Sequence, residues 1–482
     1  MKALDTVLAI DISSSGVRAR AHGRDMRVRA ERAVDLDTCV AADGTSTHDL
    51  TAVLEAVRRV VRAIAEDAEL RVVALSASGT ASSLAVARLE NGIPQGTTTV
   101  LLWSDTRAAS TYPRIAARMT EAYDRTLCPP DVSYWPAKLC YLADQAMLGE
   151  GSSIAGAKDF VFSWLTGQLW TDPMTAASTG VFDSVNWRWD EELLHGINLA
   201  SDRLPEVRGA AEWAPLTAAA AGVLGLPVGL PIAVGGMDGP LTQLGSSGIR
   251  EGVASCTVGT SIAFREGSGR RAIDPQSRTW CYPVSRDFWV IGGAGSNGGN
   301  LLTWLRDRLG LAENISELVD RAFAAAPDSS LTFVPYLHGE RAPLWRSDLR
   351  AAFIGLSAHH TADDLSRAAL ESIATSALEL AETVESVAGA AREVVFTGGF
   401  LRDRRWVQLM TDALGVETSV PVPDAATSMG AAMVGWAAVE DISIGAVFDP
   451  AREALAVPDE RVHERVRVCA ERIGGFRRAL WP

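Results

Sequence analysis

A chain of 482 residues is longer than one hydrophobic core usually spans, so two domains are expected. Hydrophobic residues at 47% and charged residues at 22% describe a globular protein. The formal charge of −14 argues against a nucleic acid or an anionic membrane as partner, and it means that an anionic ligand needs local help from backbone N–H groups, arginines or a metal.

In chain order, Val7 to Ile10 is an apolar run and Val17 to Ala21 alternates. This predicts a hairpin whose bend, Ser13-Ser14-Ser15-Gly16, offers hydroxyl and N–H groups. Leu50 to Ala65 places Val53, Leu54, Val57, Val60, Val61 and Ile64 at helical spacing, and Val72 to Leu75 reads as the next strand. Strand and helix continue to alternate, so the class is α/β. Trp213 to Met237 has no charged residue and is long enough for a membrane span. Pro227 and Pro231, with Gly222, Gly225 and Gly229, break it, so it reads as an Ala-rich helix, a turn and a buried strand. That strand runs into Gly235-Gly236-Met237-Asp238. Residues 245–252 are small and polar and read as a domain boundary. Val253 to Phe264 then repeats the opening theme of strand, hydroxyl-bearing turn and strand, which suggests two related halves with a cleft between them. A long helix runs from Thr361 to about Val387, capped by Thr361 and with Asp363 and Asp364 in its first turn. The strand Val394 to Phe396 ends in Thr397-Gly398-Gly399. A helix with Trp406, Leu409, Met410 and Leu414 follows, and another begins near Ser428.

The cysteines Cys39, Cys128, Cys140, Cys256, Cys281 and Cys469 show no C-x-x-C pair and no zinc spacing. Reduced thiols in a cytoplasmic protein are expected. The segment Met1 to Asp5 lacks a signal peptide's basic and apolar regions. Lysine occurs only at Lys2, Lys138 and Lys158, so the chain has no G-x-x-x-x-G-K-[ST] and no Walker-type loop. Lys138 and Lys158 are either survivors of a bias toward arginine or do something arginine cannot. His338, His359 and His360 lack metal-ligand spacing.

Three features point to phosphoryl transfer, which needs a gripped triphosphate, neutralised charge and an aligned acceptor hydroxyl. The turn Ser13-Ser14-Ser15 supplies donors to phosphate, with Asp11 beside it to hold Mg²⁺. Gly259-Thr260-Ser261 supplies a second set, and Asp238 can act as general base. Any hairpin bend favours Ser and Gly, and a lone Asp after glycines is often a cap. The argument rests on all three occurring together and in this order. Gly398-Gly399 and the helix start Ser428-Met429-Gly430 read as a flat slot for a base, since glycine lets a planar ring lie against backbone.

With these residues the chain resembles the FGGY carbohydrate kinases over nearly its whole length. The resemblance implies a two-domain actin-like, ribonuclease-H-like ATPase fold with a central cleft. The Asp11 turn looks like that family's first phosphate loop and Val258-Gly259-Thr260-Ser261 like its second. Trp103-Ser104-Asp105-Thr106-Arg107 looks like its sugar segment, Asp238 matches its catalytic aspartate, and Thr397-Gly398-Gly399-Phe400 with Gly430-Ala431-Ala432 looks like its adenosine motif. Segments at Trp103 to Ala108, Arg125 to Cys128, Tyr134 to Leu139, Ser296 to Asn300 and Gly339 to Trp345 are similar to the gluconate kinase branch; the last is also similar to xylulose kinases. Two departures stand out. Ser13 replaces the family's usual glycine, and Gly79-Thr80-Ala81-Ser82-Ser83 falls where relatives carry bulky or charged substrate contacts, which disfavours glycerol.

A sugar acid brings a carboxylate that must be paired. Arg107, Lys138 and Arg341 are the expected cations, with Trp103, Asp105 and Tyr134 as further substrate contacts. The expectation is an ATP- and Mg²⁺-dependent kinase with residues 1–247 binding the sugar and 248–482 the nucleotide. Gluconate is the first acceptor, a pentulose such as xylulose the second, and an actin-like ATP-binding scaffold the rival of another class. No nucleic-acid or membrane partner is expected, and a homodimer is left open.

Overall fold

The computed structural model describes residues 3–95, 99–327, 330–422 and 425–482; Lys2 lies outside them. The opening hairpin forms as its alternation predicts: β1 (Leu4–Ile12) pairs antiparallel with β2 (Gly16–His22), and β2 with β3 (Val28–Asp35). Asp49 caps α1 (Leu50–Ala65) by accepting the Thr51 N–H, and the helix buries Val53, Val57, Val60, Val61 and Ile64. The chain returns in β4 (Leu70–Gly79), parallel to β1. Helices α2 (Trp135–Asp144) and α3 (Ala157–Thr166) follow.

The uncharged stretch resolves as its prolines and glycines require, into β5 (Trp213–Pro215), α4 (Ala218–Leu224) and β6 (Pro231–Met237). Among the described residues no helix is long and apolar enough to cross a membrane. The first sheet has the order β5-β6-β4-β1-β2-β3.

Beyond β6 the chain turns at once into α5 (Asp238–Ser247). Residues 245–247, the start of the small polar stretch, are thus the buried last turn of this helix. The second half opens with β7 (Val253–Val258) and β8 (Ile262–Ser268), then β9 (Trp280–Pro283), β10 (Trp289–Ala294) and α6 (Gly299–Leu309). The long helix α7 (Ala362–Ala388) carries the expected Thr361–Asp364 capping box. It is followed by β11 (Glu393–Thr397), α8 (Arg404–Leu414), β12 (Thr418–Val422), α9 (Ala426–Glu440) and β13 (Ala451–Ala456). The second sheet runs β9-β10-β8-β7-β11-β12-β13.

The two sheets share one scheme. In the first, β3-β2-β1 is antiparallel and β1-β4-β6 parallel. In the second, β10-β8-β7 is antiparallel and β7-β11-β12 parallel. The helix after the last parallel strand of each, α5 and α9, crosses the other at glycines. A Cβ on Gly245 would lie 1.9 Å from the Ala426 carbonyl, and one on Gly430 2.0 Å from the Leu241 carbonyl. Only bare backbone permits that approach.

Candidate active site

Sheet register lines up the ends of three strands. Asp11 is level with Ser78 and Ile12 with Gly79, while Gly236 is level with Ser78 and Met237 with Gly79. The Ser13 turn, the 79–83 turn and Asp238 therefore emerge side by side at the carboxyl ends of parallel strands, the edge where ligands bind in open α/β sheets. In the second half Thr257 is level with Thr397, and their hydroxyls bond at 2.8 Å, so the Gly259 and Gly398 turns also leave together.

Asp238 is the first residue of α5, and its Oδ1 accepts the Gly239 N–H at 2.6 Å. Burial pushes its pKa up to about 6; Arg265 pulls it down and the charge of Asp11 pushes it up again. Burial likewise raises Asp11, against the Ser78 hydroxyl, Arg18 and Arg20. Two raised carboxylates thus share the strand ends. Among the described residues no group of three or more His, Cys, Asp or Glu could hold a metal, and these two carboxylates are the acids at the strand ends.

Two arginines of the second half face this point. A Cβ on Gly239 would sit 3.2 Å from Arg265 Nε, and Arg265 Nη1 donates to Thr257 Oγ1 at 3.0 Å. The Arg341 guanidinium lies 4.1 Å above the Trp103 ring and donates from Nη2 to the Gly295 carbonyl at 2.8 Å. Both Nε–H groups are buried and have no hydrogen-bond partner. Tyr134 lies against the same arginine, its hydroxyl 3.2 Å from that of Tyr282.

Other expected contacts have different partners. Asp105 is buried; it accepts the Ser46 N–H at 3.1 Å and takes Arg107 in a fork, Nη2 at 2.7 Å and Nε at 3.1 Å, while Arg107 covers Tyr141. The pair is closed on itself and braces the segment that carries Trp103. Lys138 is fully buried, its Nζ donating to the Ser82 and Leu102 carbonyls at 3.0 and 2.7 Å. Burial pushes its pKa down to about 7, against Asp105 and Asp131. Its ammonium supports the 79–83 turn, as does Trp135, whose Nε1 donates to the Ser83 carbonyl at 3.1 Å. Lys158 is equally buried, 2.9 Å from Asp159 and 3.0 Å from Asp172.

The turns expected to hold phosphate are polar bends partly closed on themselves, the Gly259 N–H donating to the Ser261 carbonyl at 2.9 Å. Ser13, Ser14 and Ser15 form an open bend, with Ser13 Oγ donating to the Gly16 carbonyl at 2.9 Å. Gly259 and Thr260 are exposed, their carbonyls receiving the first N–H groups of α6 from Gly299 and Asn300 at 2.8 and 3.1 Å. Gly398 has φ +116° and lies so close to β7 that a Cβ would be 2.3 Å from the Val258 carbonyl, whereas one on Gly399 or Gly259 would meet nothing within 4 Å. Ser428 departs from expectation. It is buried, its hydroxyl 3.0 Å from His22 Nε2 and 3.2 Å from Arg20 Nη1, so it ties α9 to the first sheet and offers nothing to a base. Gly430 likewise serves the helix crossing.

Sequence reasoning missed Arg265, and it named the segments that carry Asn297 and Glu340 without giving either residue a role. Glu340 accepts the Ser296 N–H and the Asn297 Nδ2 (3.0 Å), and Asn297 also donates to the Gly339 carbonyl at 2.8 Å. These bonds fuse the 296–300 and 339–345 segments into one support for Arg341. A signal for Arg265 did exist: it breaks the apolar run Ile262-Ala263-Phe264 inside a strand, where a charge needs a reason.

Comparison with known proteins gives two family matches: residues 6–245 to the N-terminal domain, and residues 254–439 to the C-terminal domain, of the FGGY family of carbohydrate kinases. A gluconokinase of Bacillus subtilis is 29% identical over 466 residues, 92% of this chain and 90% of its own. Crystal structures of a ligand-bound xylulose kinase and of a gluconate kinase, both from Lactobacillus acidophilus, each superpose with a TM-score of 0.91 at 23% identity over 99% of this chain and 98% of theirs. The fold is therefore the two-domain α/β, actin-like fold of these enzymes.

Proposed function

The chain belongs to the FGGY family of carbohydrate kinases, and from that premise we propose that it moves the γ-phosphoryl group of Mg-ATP to a hydroxyl of a sugar acid, gluconate first. Residues 1–247 act as the sugar half and 248–482 as the nucleotide half. The observation that carries the sugar-acid reading is Arg341, a half-buried side chain over Trp103 whose buried Nε–H has no partner. A neutral sugar leaves that donor at a cost, whereas a carboxylate satisfies it with a charge-assisted bond. Likeness to a gluconokinase over nine-tenths of the chain supports the same reading. Arg107 and Lys138 act indirectly, by holding the segments that carry Trp103 and the 79–83 turn.

The open turns at Ser13–Ser15, Gly259–Ser261 and Gly398–Gly399 fit a nucleotide: their glycines at 259 and 399 face free space. Asp11 would hold a magnesium ion, which would neutralise phosphate charge and leave Asp238 free to act as base. Trp103 and Arg341 hold the acceptor, and Asp238 removes the proton of its hydroxyl as that oxygen attacks. Closure of the two halves excludes water, which would otherwise compete as acceptor.

The test is a coupled ADP-release screen across aldonates, ketoses and polyols. Gluconate active and polyols silent is the expected outcome. A pentulose active with gluconate silent moves the chain to a pentulose kinase. Arg341→Met is expected to raise KM for an aldonate about 10–100-fold, the worth of one charge-assisted bond.

A further inference from the structure

Arg265 has no task in the scheme above, yet its place is costly. It is a strand residue of the second half whose Nε lies 3.2 Å from where a Gly239 Cβ would be, next in chain to Asp238. Its Nη1 donates to Thr257, which bonds to Thr397; Thr397 immediately precedes Gly398, and Thr257 stands two residues before Gly259. Its Nε–H is buried and unpartnered, as is that of Arg341. Burial lowers the pKa of each of these arginines, and the charge of Arg341 lowers that of Arg265 further. Two like charges with two empty donors at one crevice wall make a site for anions, and two anions come together in the proposed reaction: the acceptor's carboxylate and the transferring phosphoryl group. Arg341, on Trp103, faces the acceptor; Arg265 stands between the base and the turns.

We propose that Arg265 is a catalytic residue whose guanidinium grips the phosphoryl group during transfer. This rests on the kinase reading. The acceptor oxygen bonds to the γ-phosphorus as the bond from that phosphorus to the β,γ-bridging oxygen breaks. ADP leaves with the electron pair, and the hydroxyl proton goes to Asp238. Charge spreads over the three equatorial oxygens, which a planar fork of N–H donors matches.

The test uses the full chain with Arg265→Met and Arg265→Lys, the second serving if the first fails to fold. Steady-state kinetics are read with the acceptor found in the screen, and calorimetry reads ADP alone and ADP with tetrafluoroaluminate. For both variants kcat is expected to fall about 100-fold or more, while KM for the acceptor and Kd for ADP stay within about threefold. Tetrafluoroaluminate, a mimic of the group in flight, is expected to tighten ADP binding to the wild type and not to the variants. A rise in KM with kcat intact would assign Arg265 to the carboxylate and overturn the proposal; so would unchanged kinetics. If the wild type phosphorylates no sugar, the kinase reading falls, whereas equal tightening by tetrafluoroaluminate in wild type and variants sinks Arg265 alone.

Discussion

At the scale of single residues, Asp238 sets the pH behaviour. A base with a pKa of about 6 is half protonated there, so kcat/KM is expected to fall about tenfold per unit below pH 6 and to level off above it. Asp238→Asn is expected to bind ADP normally and to lose about 100-fold or more in turnover. Its stability should move the other way. The folded pKa lies above the ordinary 3.8, so the contribution of Asp238 to stability is complete below about 3.8 and is lost as pH rises through about 6. Above that, the wild type carries a poorly neutralised charge in its cleft. Asp238→Asn should therefore raise Tm by about 1–3 °C at pH 8 and leave it unchanged at pH 3.5, which calorimetry at the two pH values checks.

At the scale of elements, the rare lysines show why composition alone is a poor guide. Lys158 on α3 joins Asp159, the cap residue Asp172 and the Val234 carbonyl of β6, the strand that delivers Asp238. Removing the ammonium leaves two buried carboxylates, so Lys158→Met is expected to cost about 3–5 kcal/mol in urea unfolding. Lys158→Arg should not restore it, because the Lys158 stem already packs on Gly79, where an added Cβ would be only 2.8 Å from Lys158 Cβ, and a broader guanidinium has no room. The spacing of apolar residues made α1, α7 and α8 legible, since burial of one face follows directly from period. It could not show that Asp238 begins a helix, because α5 is buried along nearly its whole length and has no polar stripe to mark it.

At the scale of the whole molecule, α5 and α9 cross in close contact, with the Ser428 hydroxyl tied to His22 and Arg20 beside the crossing. Gly430→Ala drives a methyl into the Leu241 carbonyl, which the backbones can relieve only by parting. The expected result is a loss of about 1–3 kcal/mol in stability, with kcat and KM changing together because the angle of closure shifts. Solution scattering of wild type and variant with ADP and acceptor checks this: a variant that contracts like the wild type would show that the crossing does not govern closure.

By itself the amino-acid sequence determined the α/β class, the paired strand–turn–strand openings, the long capped helix and the acid that follows β6. Each is a local consequence of period, turn chemistry or capping. Only the tertiary structure decided which charged side chains meet at the crevice. Arg107 and Lys138 sit in the expected segments but close on Asp105 and on backbone carbonyls, while Arg265 and Arg341 arrive from the other half with donors to spare. The reason is that a buried charge is assigned by whichever partner reaches it first in space, and that partner is fixed by sheet register and helix crossing, not by spacing along the chain.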